Sequence, residues 1–248
     1  MTKIVVIGDI HARDKWKRVV AEENDFDKIV FMGDYFDTRD EIPHQKWVDN
    51  FRDIVEFKRM NMDKVVLLIG NHDYHYMRGI TEIYTGYTPV ARFDVQEILD
   101  RNADILQACF KHDNFLFTHA GVTNTWYKNG LKLWCKERGI DITDLDICDQ
   151  INYLFQYAPD QFKFTSGRYL DNYADEVTQT PIWVRPLALM TDRLGKYFHV
   201  VGHTFETPEI KTDHNPGGVI TTDALGIGYY VVIHDGIPEI KRLEYDQY

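Results

Sequence analysis

Residues 3–11 read KIVVIGDIH, a short run of mostly β-branched residues that ends in a glycine and leads to Asp9 and His11. β-Branched side chains favour strands, and a run that is apolar at successive positions is typical of a strand buried on both faces of a parallel sheet. The Gly-Asp pair after the run marks a turn. This stretch therefore predicts a central strand whose carboxyl end carries a carboxylate and an imidazole, both of which bind metal ions.

Similar runs recur along the chain, and each ends in a turn signal or a histidine. They cover residues 28–32 (KIVFM), 64–69 (KVVLLI), 114–118 (NFLFT) and 197–201 (YFHVV). The spacing of apolar residues between them predicts helices, most clearly in the stripe of Trp47, Phe51, Ile54 and Val55. Further helix candidates are residues 14–23, 124–138 and 144–157. Strands that alternate with helices predict an α/β layered fold.

The last third of the chain has a different pattern. Strand-like segments at residues 218–222, 229–233 and 237–245 are separated by short turns rich in Gly, Asp and Pro, which predicts an antiparallel C-terminal portion. Two stretches interrupt the alternation of strands and helices, and long insertions of this kind are often lids or binding loops. We therefore expect a single domain over residues 1–248 with insertions at about 74–102 and 141–189.

The first insertion is rich in tyrosine and also carries arginine. The residues concerned are Tyr74, Tyr76, Tyr84 and Tyr87, with Arg78 and Arg92. Such rings could form a wall that stacks on a substrate. Ordinary packing of the insertion is the simpler interpretation, and we extend it to His75, which lies beside these tyrosines.

The composition excludes several classes of protein. Of the 248 residues, 44% are hydrophobic and 27% are charged, which is ordinary for a globular protein and excludes a mainly disordered chain. A net charge of −11 disfavours an extended nucleic-acid footprint and an anionic membrane surface. No apolar run approaches the ~20 residues of a membrane span. The three cysteines lack a CxxC spacing, so we expect reduced thiols in a cytoplasmic protein.

Polar donor residues follow the predicted strands. In chain order they are Asp9 and His11, Asp34 and Asp37, Asn71 with His72 and Asp73, then His119 and His203. The carboxyl ends of the strands form the ligand crevice in open α/β sheets, so we expect these side chains to meet. Carboxylate, amide and imidazole donors together suit Mn²⁺, Fe or Zn²⁺ better than Ca²⁺. They exceed the needs of one tetrahedral zinc and suit two metals that share a bridging carboxylate.

Five sequence blocks resemble those of the calcineurin-like metallophosphoesterases. The blocks are GDIH (8–11), GDYFD (33–37), GNHD (70–73), THAG (118–121) and VGHT (201–204), in the order of that family. A single block is a weak signal, whereas five in order after predicted strands form a strong one. The resemblance implies a four-layer αββα sandwich of two mixed sheets flanked by helices, with a two-metal site at its edge.

The resemblance also implies a role for each residue of the blocks. The implied metal ligands are Asp9 and His11 for the first metal, Asp34 for both, and Asn71, His119 and His203 for the second. His72 takes the position of the general acid that protonates the leaving oxygen, and Asp37 the position that orients it. A carboxylate behind an imidazole fixes its tautomer and favours its protonated form, as a general acid requires.

The last block indicates a branch of the family. Phe205 stands where many members of the family carry a further metal-binding histidine. The absence of this histidine is similar to the branch that holds the protein serine/threonine phosphatases and the symmetrical diadenosine-tetraphosphate hydrolases. The segment PIWVRP (181–186) resembles the same branch and makes Arg185 a candidate ligand for phosphate oxygens. Thr38 replaces the arginine that this branch carries, and Arg39, one position later, is the candidate substitute.

These residues together predict two-metal-dependent hydrolysis of phosphomonoesters, similar to that of a phosphoprotein serine/threonine phosphatase. The resemblance implies that a metal-bound hydroxide would attack phosphorus, that His72 would protonate the leaving group, and that Asn71, Arg185 and Arg39 would contact the phosphate. Mn²⁺ is the expected metal, with Fe, Zn²⁺, Ni²⁺ and Co²⁺ also chemically suited. Two alternatives stay open. One is a nucleotide or dinucleoside-polyphosphate hydrolase or a nucleic-acid end phosphatase, and the other is a catalytically silent, metal-bearing scaffold.

Overall fold

The computed structural model of the chain describes residues 2–166, 175–214 and 216–244. Its strands are β1 (Lys3–Ile7), β2 (Lys28–Phe31), β3 (Val65–Leu68), β4 (Leu106–Gln107), β5 (Phe110–His112), β6 (Phe115–Phe117), β7 (Phe198–Val201), β8 (Ile210–Lys211), β9 (Gly218–Thr221), β10 (Tyr229–His234) and β11 (Ile237–Arg242). Its α-helices are α1 (Trp16–Glu22), α2 (His44–Met60), α3 (Asn71–Tyr74), α4 (Arg92–Arg101), α5 (Asn124–Trp126), α6 (Leu133–Glu137), α7 (Ile147–Tyr157) and α8 (Pro186–Asp192). A π-helical stretch, Tyr127–Lys132, joins α5 to α6.

The strands form two mixed sheets. The first has the order β11-β10-β1-β2-β3-β4, in which β1 to β4 run parallel and the β10–β11 hairpin pairs antiparallel with β1. The second has the order β5-β6-β7-β9-β8, with β6, β7 and β9 parallel and the two edge strands antiparallel. In each sheet the carboxyl ends of the parallel strands lie on the same side, so the residues that follow these strands share one edge of the sheet.

Three apolar interfaces hold four layers together. Between the sheets, Ile4 and Val6 of β1 pack with Phe117 and Val200 of the second sheet. On the outer face of the first sheet, alternate residues of the same strands pack against α1, α2 and α4. On the outer face of the second sheet, residues of β6, β7 and β9 pack against α7 and α8. The central strands are therefore buried on both faces, and the four-layer αββα sandwich of two mixed sheets is confirmed.

The C-terminal strands agree only in part with the antiparallel prediction. β10 and β11 form an antiparallel hairpin, as predicted. β9 pairs antiparallel with β8 but parallel with β7, so the prediction is wrong for one of its two edges. The connection from β7 to β9 contains β8, which lies at the edge of the sheet beside β9. After β8 the chain reverses, so that β9 runs in the same direction as β7. Residue 245 of the predicted last strand and residues 167–174 of the second insertion lie outside the described residues.

His199 lies inside β7 and gives the fold a testable pH dependence. Its Nε2 is 3.0 Å from the carbonyl oxygen of Leu194, and burial lowers the pKa of His199 to about 4. Protonation therefore favours the unfolded chain, where the pKa is near 6.5. This contribution to stability is present above pH 6.5 and is lost as the pH falls towards 4, at a cost of about 3 kcal/mol.

His199→Gln is the matched variant, because glutamine keeps an N–H donor but does not titrate. Urea unfolding of both proteins between pH 7.5 and pH 4 measures the difference. We expect the wild type to lose about 3 kcal/mol more than the variant over this range. Parallel pH profiles for the two proteins would show that His199 does not stay neutral in the fold.

A membrane crossing needs a helix that is both long and apolar. Within residues 2–166, 175–214 and 216–244, no helix combines these two properties. The longest, α2, has 17 residues and carries charged side chains along its length.

Candidate metal centre

The carboxyl ends of five strands meet at one edge of the sandwich. Each strand is followed within three residues by a predicted metal ligand, in the order Asp9 (β1), Asp34 (β2), Asn71 (β3), His119 (β6) and His203 (β7). One oxygen of Asp9, one of Asp34 and a ring nitrogen of His119 lie within 4.8 Å of one another. All three side chains are buried, so the two sheets together place donor atoms in a shared, water-poor site.

Two imidazoles point at the carboxylate of Asp34. His119 has its Nδ1 2.7 Å from the carbonyl oxygen of Met32, and His11 has its Nδ1 2.5 Å from that of Asp37. A carbonyl only accepts, so both rings carry the proton on Nδ1. The opposite nitrogens, Nε2, lie 3.4 Å (His119) and 3.8 Å (His11) from Oδ2 of Asp34. The backbone carbonyls thus select the tautomer that offers a metal ligand.

The side-chain oxygen of Asn71 is the second point of convergence. It lies 3.0 Å from Nε2 of His119 and 2.8 Å from Nδ1 of His203. The backbone N–H of His203 donates to Oδ2 of Asp9 at 2.9 Å, which ties the end of β7 to the end of β1. The structure therefore brings together all six residues predicted as metal ligands.

The donor atoms fit divalent cations. In its neutral form, with the proton on Nδ1, His119 presents the lone pair of Nε2, which lies 3.0 Å from Oδ1 of Asn71 and 3.4 Å from Oδ2 of Asp34. Oδ1 of Asp9 and Nε2 of His203 are buried and have no hydrogen-bond partner among the described residues. Unpaired buried polar atoms are costly, and bound cations remove that cost. The set is therefore suited to hold metal.

Two glycines leave room for the carboxylates. A Cβ on Gly70 would lie 2.1 Å from Oδ1 of Asp34, and one on Gly202 would lie 2.0 Å from Oδ1 of Asp9. Both positions must therefore be glycine for the carboxylates to keep their places. This close approach explains why glycine precedes Asn71 and His203 in their sequence blocks.

Four residues of the site have left-handed backbone conformations. The φ angles are +44° at His11, +51° at Asp34, +52° at Asp37 and +63° at His203. Aspartate and histidine are among the non-glycine residues that tolerate this region best, although it is still strained. The turns after β1, β2 and β7 therefore use this conformation to direct their side chains into the site.

His72 and Asp37 form a pair beside the predicted metal ligands. Nδ1 of His72 lies 3.1 Å from Oδ2 of Asp37, and its side chain is 24% exposed. Burial lowers the pKa of His72, but Asp34 and the hydrogen bond to Asp37 outweigh it and raise the pKa to about 9. Asp37, His72 and His75 form a second group with ligand atoms within 4.8 Å, although there the ring nitrogens already make hydrogen bonds with Asp37.

The comparison with known families decides which class of protein carries this geometry. The family profile described as calcineurin-like phosphoesterase matches residues 2–204. The chain belongs to the calcineurin-like phosphoesterases. It is therefore a metal-dependent phosphoesterase, and the family named from the five blocks is confirmed. No curated protein sequence matches the chain.

Solved structures share the fold of this phosphoesterase at low sequence identity. The cold-active protein-tyrosine phosphatase of a psychrophile, Shewanella sp., is 17% identical with a TM-score of 0.56, over 98% of this chain and 81% of that one. A protein serine/threonine phosphatase from Saccharomyces cerevisiae, with similarity to human phosphatase PP5, is 12% identical with a TM-score of 0.54, over 100% and 81%. At these identities the likeness shows the shared fold.

The two candidate arginines of the phosphoesterase lie in different surroundings. Arg185 is half-buried directly before α8, and its Nη1 is 3.4 Å from Oγ1 of Thr204, the residue after His203. Burial first, and then the charges of His119 and Arg185, lower the pKa of His203. Arg39 is exposed on the loop beyond Asp37.

Sequence reasoning assigned no role to two buried carboxylates at this edge, Asp73 and Asp223. Asp73 accepts hydrogen bonds from the backbone N–H groups of Asp34 (2.8 Å), Tyr35 (2.7 Å) and Gly70 (2.9 Å), so it holds the turn that presents Asp34. Asp223 follows β9, and burial together with Asp34 raises its pKa to about 6. The rule that donors follow strands would have found Asp223, had it been applied to the strand predicted at 218–222.

Proposed function

We propose that this phosphoesterase hydrolyses phosphomonoesters with two divalent metal ions, and that phosphorylated serine or threonine residues of proteins are its substrates. One observation carries the proposal. Six predicted metal donors and the Asp37–His72 pair converge on the same edge of the sandwich, and the backbone N–H of His72 links the two sets. The backbone N–H of His72 donates to Oδ1 of Asp34 at 2.9 Å. This bond holds the proposed general acid beside the carboxylate that the two metals would share.

The metal ligands have assigned places in this proposal. Asp9 and His11 would hold one ion, Asp34 would be shared, and Asn71, His119 and His203 would hold the other, as the resemblance implies. When bound, two divalent ions act as Lewis acids that activate water and neutralise charge on phosphoryl oxygens. The backbone carbonyls of Met32 and Asp37 keep the rings of His119 and His11 in the tautomer that binds metal.

His72 is the proposed general acid. Its Nδ1 bonds to Asp37, which leaves Nε2 as the ring atom that can deliver a proton to the leaving oxygen. The Asp37 carboxylate holds the ring orientation and favours the imidazolium form, which is the form a general acid needs. An alkoxide such as that of serine is a poor leaving group, so protonation contributes most for this class of substrate.

Arg185 is the proposed ligand of the phosphate oxygens. Replacement by alanine removes two charge-assisted donors, and we expect kcat/KM for a phosphoserine peptide to fall by about 10- to 100-fold. Arg185→Lys keeps the charge but not the planar fork, so it should recover only part of the loss. Arg39→Ala, measured in parallel, tests the second arginine. A fall for Arg39→Ala that exceeds the fall for Arg185→Ala would reverse the two assignments.

Two finer points also belong to the proposal. We propose Mn²⁺ as the native metal, because carboxylate, amide and imidazole donors in this number suit it, while Fe, Zn²⁺, Co²⁺ and Ni²⁺ compete for such sites according to supply. We propose the cytoplasm as the location, since Cys109, Cys135 and Cys148 are buried as free thiols.

Removal and return of metal, followed by a substrate panel, tests the proposal. The protein is stripped with a chelator, reloaded with Mn²⁺ and assayed on p-nitrophenyl phosphate, bis-p-nitrophenyl phosphate, phosphoserine and phosphotyrosine peptides, and diadenosine tetraphosphate. We expect Mn²⁺-dependent turnover of the monoesters, with the phosphoserine peptide preferred over the phosphotyrosine peptide. Turnover of the diester or the dinucleotide alone would overturn the substrate assignment. Two bound ions without any turnover would favour the scaffold alternative.

A further inference from the structure

The carboxylate of Asp37 accepts hydrogen bonds from more than His72. Its Oδ2 also lies 2.6 Å from Nε2 of His75, and its Oδ1 accepts from the hydroxyl of Tyr76 at 2.6 Å. We propose that His75 and Tyr76 are positioning residues of the reaction, which hold Asp37 so that Asp37 can hold the imidazole of His72. The inference rests on the proposed function, in which His72 is the general acid.

The surroundings of His75 fix its ring. The side chain is fully buried, and because Asp37 can only accept, its Nε2 must carry the proton. The rings of Tyr76, Tyr84 and Tyr87 surround it, with centroids 4.5, 5.9 and 5.2 Å away. A donor packed in this way has one orientation, and that orientation is directed at the carboxylate.

Tyr76 connects Asp37 to the first insertion. Its hydroxyl donates to Asp37 and accepts from the backbone N–H of Thr88 at 2.8 Å, and its ring stacks on that of Tyr87 with centroids 5.0 Å apart. Residues 84–88 are therefore linked to the carboxylate in two ways: Thr88 by hydrogen bonds through the Tyr76 hydroxyl, and Tyr84 and Tyr87 by ring contacts with His75. We name these residues, together with His75 and Tyr76, the tyrosine brace.

The brace also limits the ring of His72 directly. Gly86 has a φ of +96°, and a Cβ there would lie 2.9 Å from Cε1 and 3.0 Å from Nδ1 of His72. Glycine at this position thus lets the backbone of the brace lie against the imidazole. With Asp37 at Nδ1 and Gly86 beside the ring edge, the free nitrogen of His72 is held in one direction.

Three hydrogen-bond donors, on His72, His75 and Tyr76, surround the Asp37 carboxylate and fix its orientation. Asp37 has a strained backbone, with φ of +52°, and hydrogen bonds hold both of its carboxylate oxygens. A general acid needs its proton within hydrogen-bond reach of the leaving oxygen, so a small rotation of Asp37 would reduce proton transfer. The loss would then appear only where the leaving group needs a proton.

Tyr76→Phe is the variant that tests the inference, because it removes one oxygen and keeps the ring stack. Kinetics on an alkyl phosphate and on p-nitrophenyl phosphate are compared in the Mn²⁺-loaded protein. We expect kcat/KM for the alkyl phosphate to fall about 10-fold, a fraction of what a positioned acid contributes, with a loss of about 3-fold or less for the aryl ester. His75→Leu should show the same selectivity, and His75→Gln, which keeps an N–H donor at the Nε2 position, should recover part of it.

Tyr74→Phe is the matched control. Tyr74 is as buried as Tyr76, and its hydroxyl donates to the carbonyl oxygen of Pro159 at 2.8 Å instead of Asp37. Tyr74→Phe loses one hydrogen bond and Tyr76→Phe loses two, so thermal stability should fall in both variants and further in Tyr76→Phe, whereas leaving-group selectivity should change for Tyr76→Phe alone. A ¹⁵N NMR spectrum of the histidine rings gives a second readout, in which the Nδ1 resonance of His72 should shift in Tyr76→Phe and stay in place in Tyr74→Phe.

The outcomes separate this inference from the proposed function. Equal losses on both esters, or a Tyr76→Phe protein that behaves like Tyr74→Phe, would overturn the role of the brace while a selective His72→Asn defect left the proposed function standing. Absence of Mn²⁺-dependent turnover in the wild type would overturn both.

Discussion

Asp34→Asn is expected to lower kcat/KM for p-nitrophenyl phosphate by at least about 10³-fold and to reduce bound metal. Asp34 lies at the centre of the donor set, with Oδ2 3.4 Å from Nε2 of His119 and 3.8 Å from that of His11. The amide has nearly the shape of the carboxylate but lacks its charge and one acceptor oxygen. Elemental analysis of the purified protein together with the kinetic assay measures both effects.

Asp113→Asn is the matched control for this substitution. Asp113 has the same φ, +51°, and is exposed away from the donor set, between β5 and β6. Asparagine tolerates this backbone region well, so neither change should disturb the fold. Full metal content and activity in Asp34→Asn would contradict the assignment of Asp34 as the shared ligand.

His72→Asn should produce a defect that depends on the leaving group. We expect kcat/KM for an alkyl phosphate to fall by about 10²- to 10⁴-fold, the usual contribution of a positioned acid. The loss on p-nitrophenyl phosphate should be much smaller, because nitrophenolate leaves with little need of a proton. Asparagine keeps the backbone N–H that donates to Oδ1 of Asp34, so metal content should be retained.

The comparison between esters provides the internal control. A general disturbance of the site would lower both rates by the same factor and would leave the ratio unchanged. Equal losses on the alkyl and aryl esters would therefore remove the acid role from His72. Loss of metal in this variant would indicate that His72 acts on the ligand set instead of the leaving group.

Much of the fold could be predicted because its strands carry strong local signals. β1 was predicted at its observed bounds, and β3 within one residue at each end, since both are β-branched runs closed by glycine. Burial on both faces removes the alternation that a half-exposed strand would show, and the apolar runs reflect this. The parallel pairing of β9 with β7 could not be predicted, because the choice of partner depends on the path of a connection with no local signal.

In the candidate site, too, some residues could be predicted from local sequence and others could not. The six predicted metal donors could be located because each lies in the turn that follows a strand, and the geometry of a sheet edge then brings strand ends together. His75 and Tyr76 follow no strand, and their contact with Asp37 depends on the turn at α3 and on rings from residues 84 and 87. Their sequence pattern was that of ordinary packing, and their polar atoms were informative only in three dimensions.

The left-handed residues of the site have a consequence for evolution and engineering. His11, Asp34, Asp37 and His203 each keep a backbone conformation that costs about 1–2 kcal/mol in a non-glycine residue. Glycine at any of them would relieve strain and remove a donor in the same step. Selection for thermostability alone would therefore tend to erode catalysis, and a more stable variant of this protein should gain its stability elsewhere in the fold and leave the turns after β1, β2 and β7 unchanged.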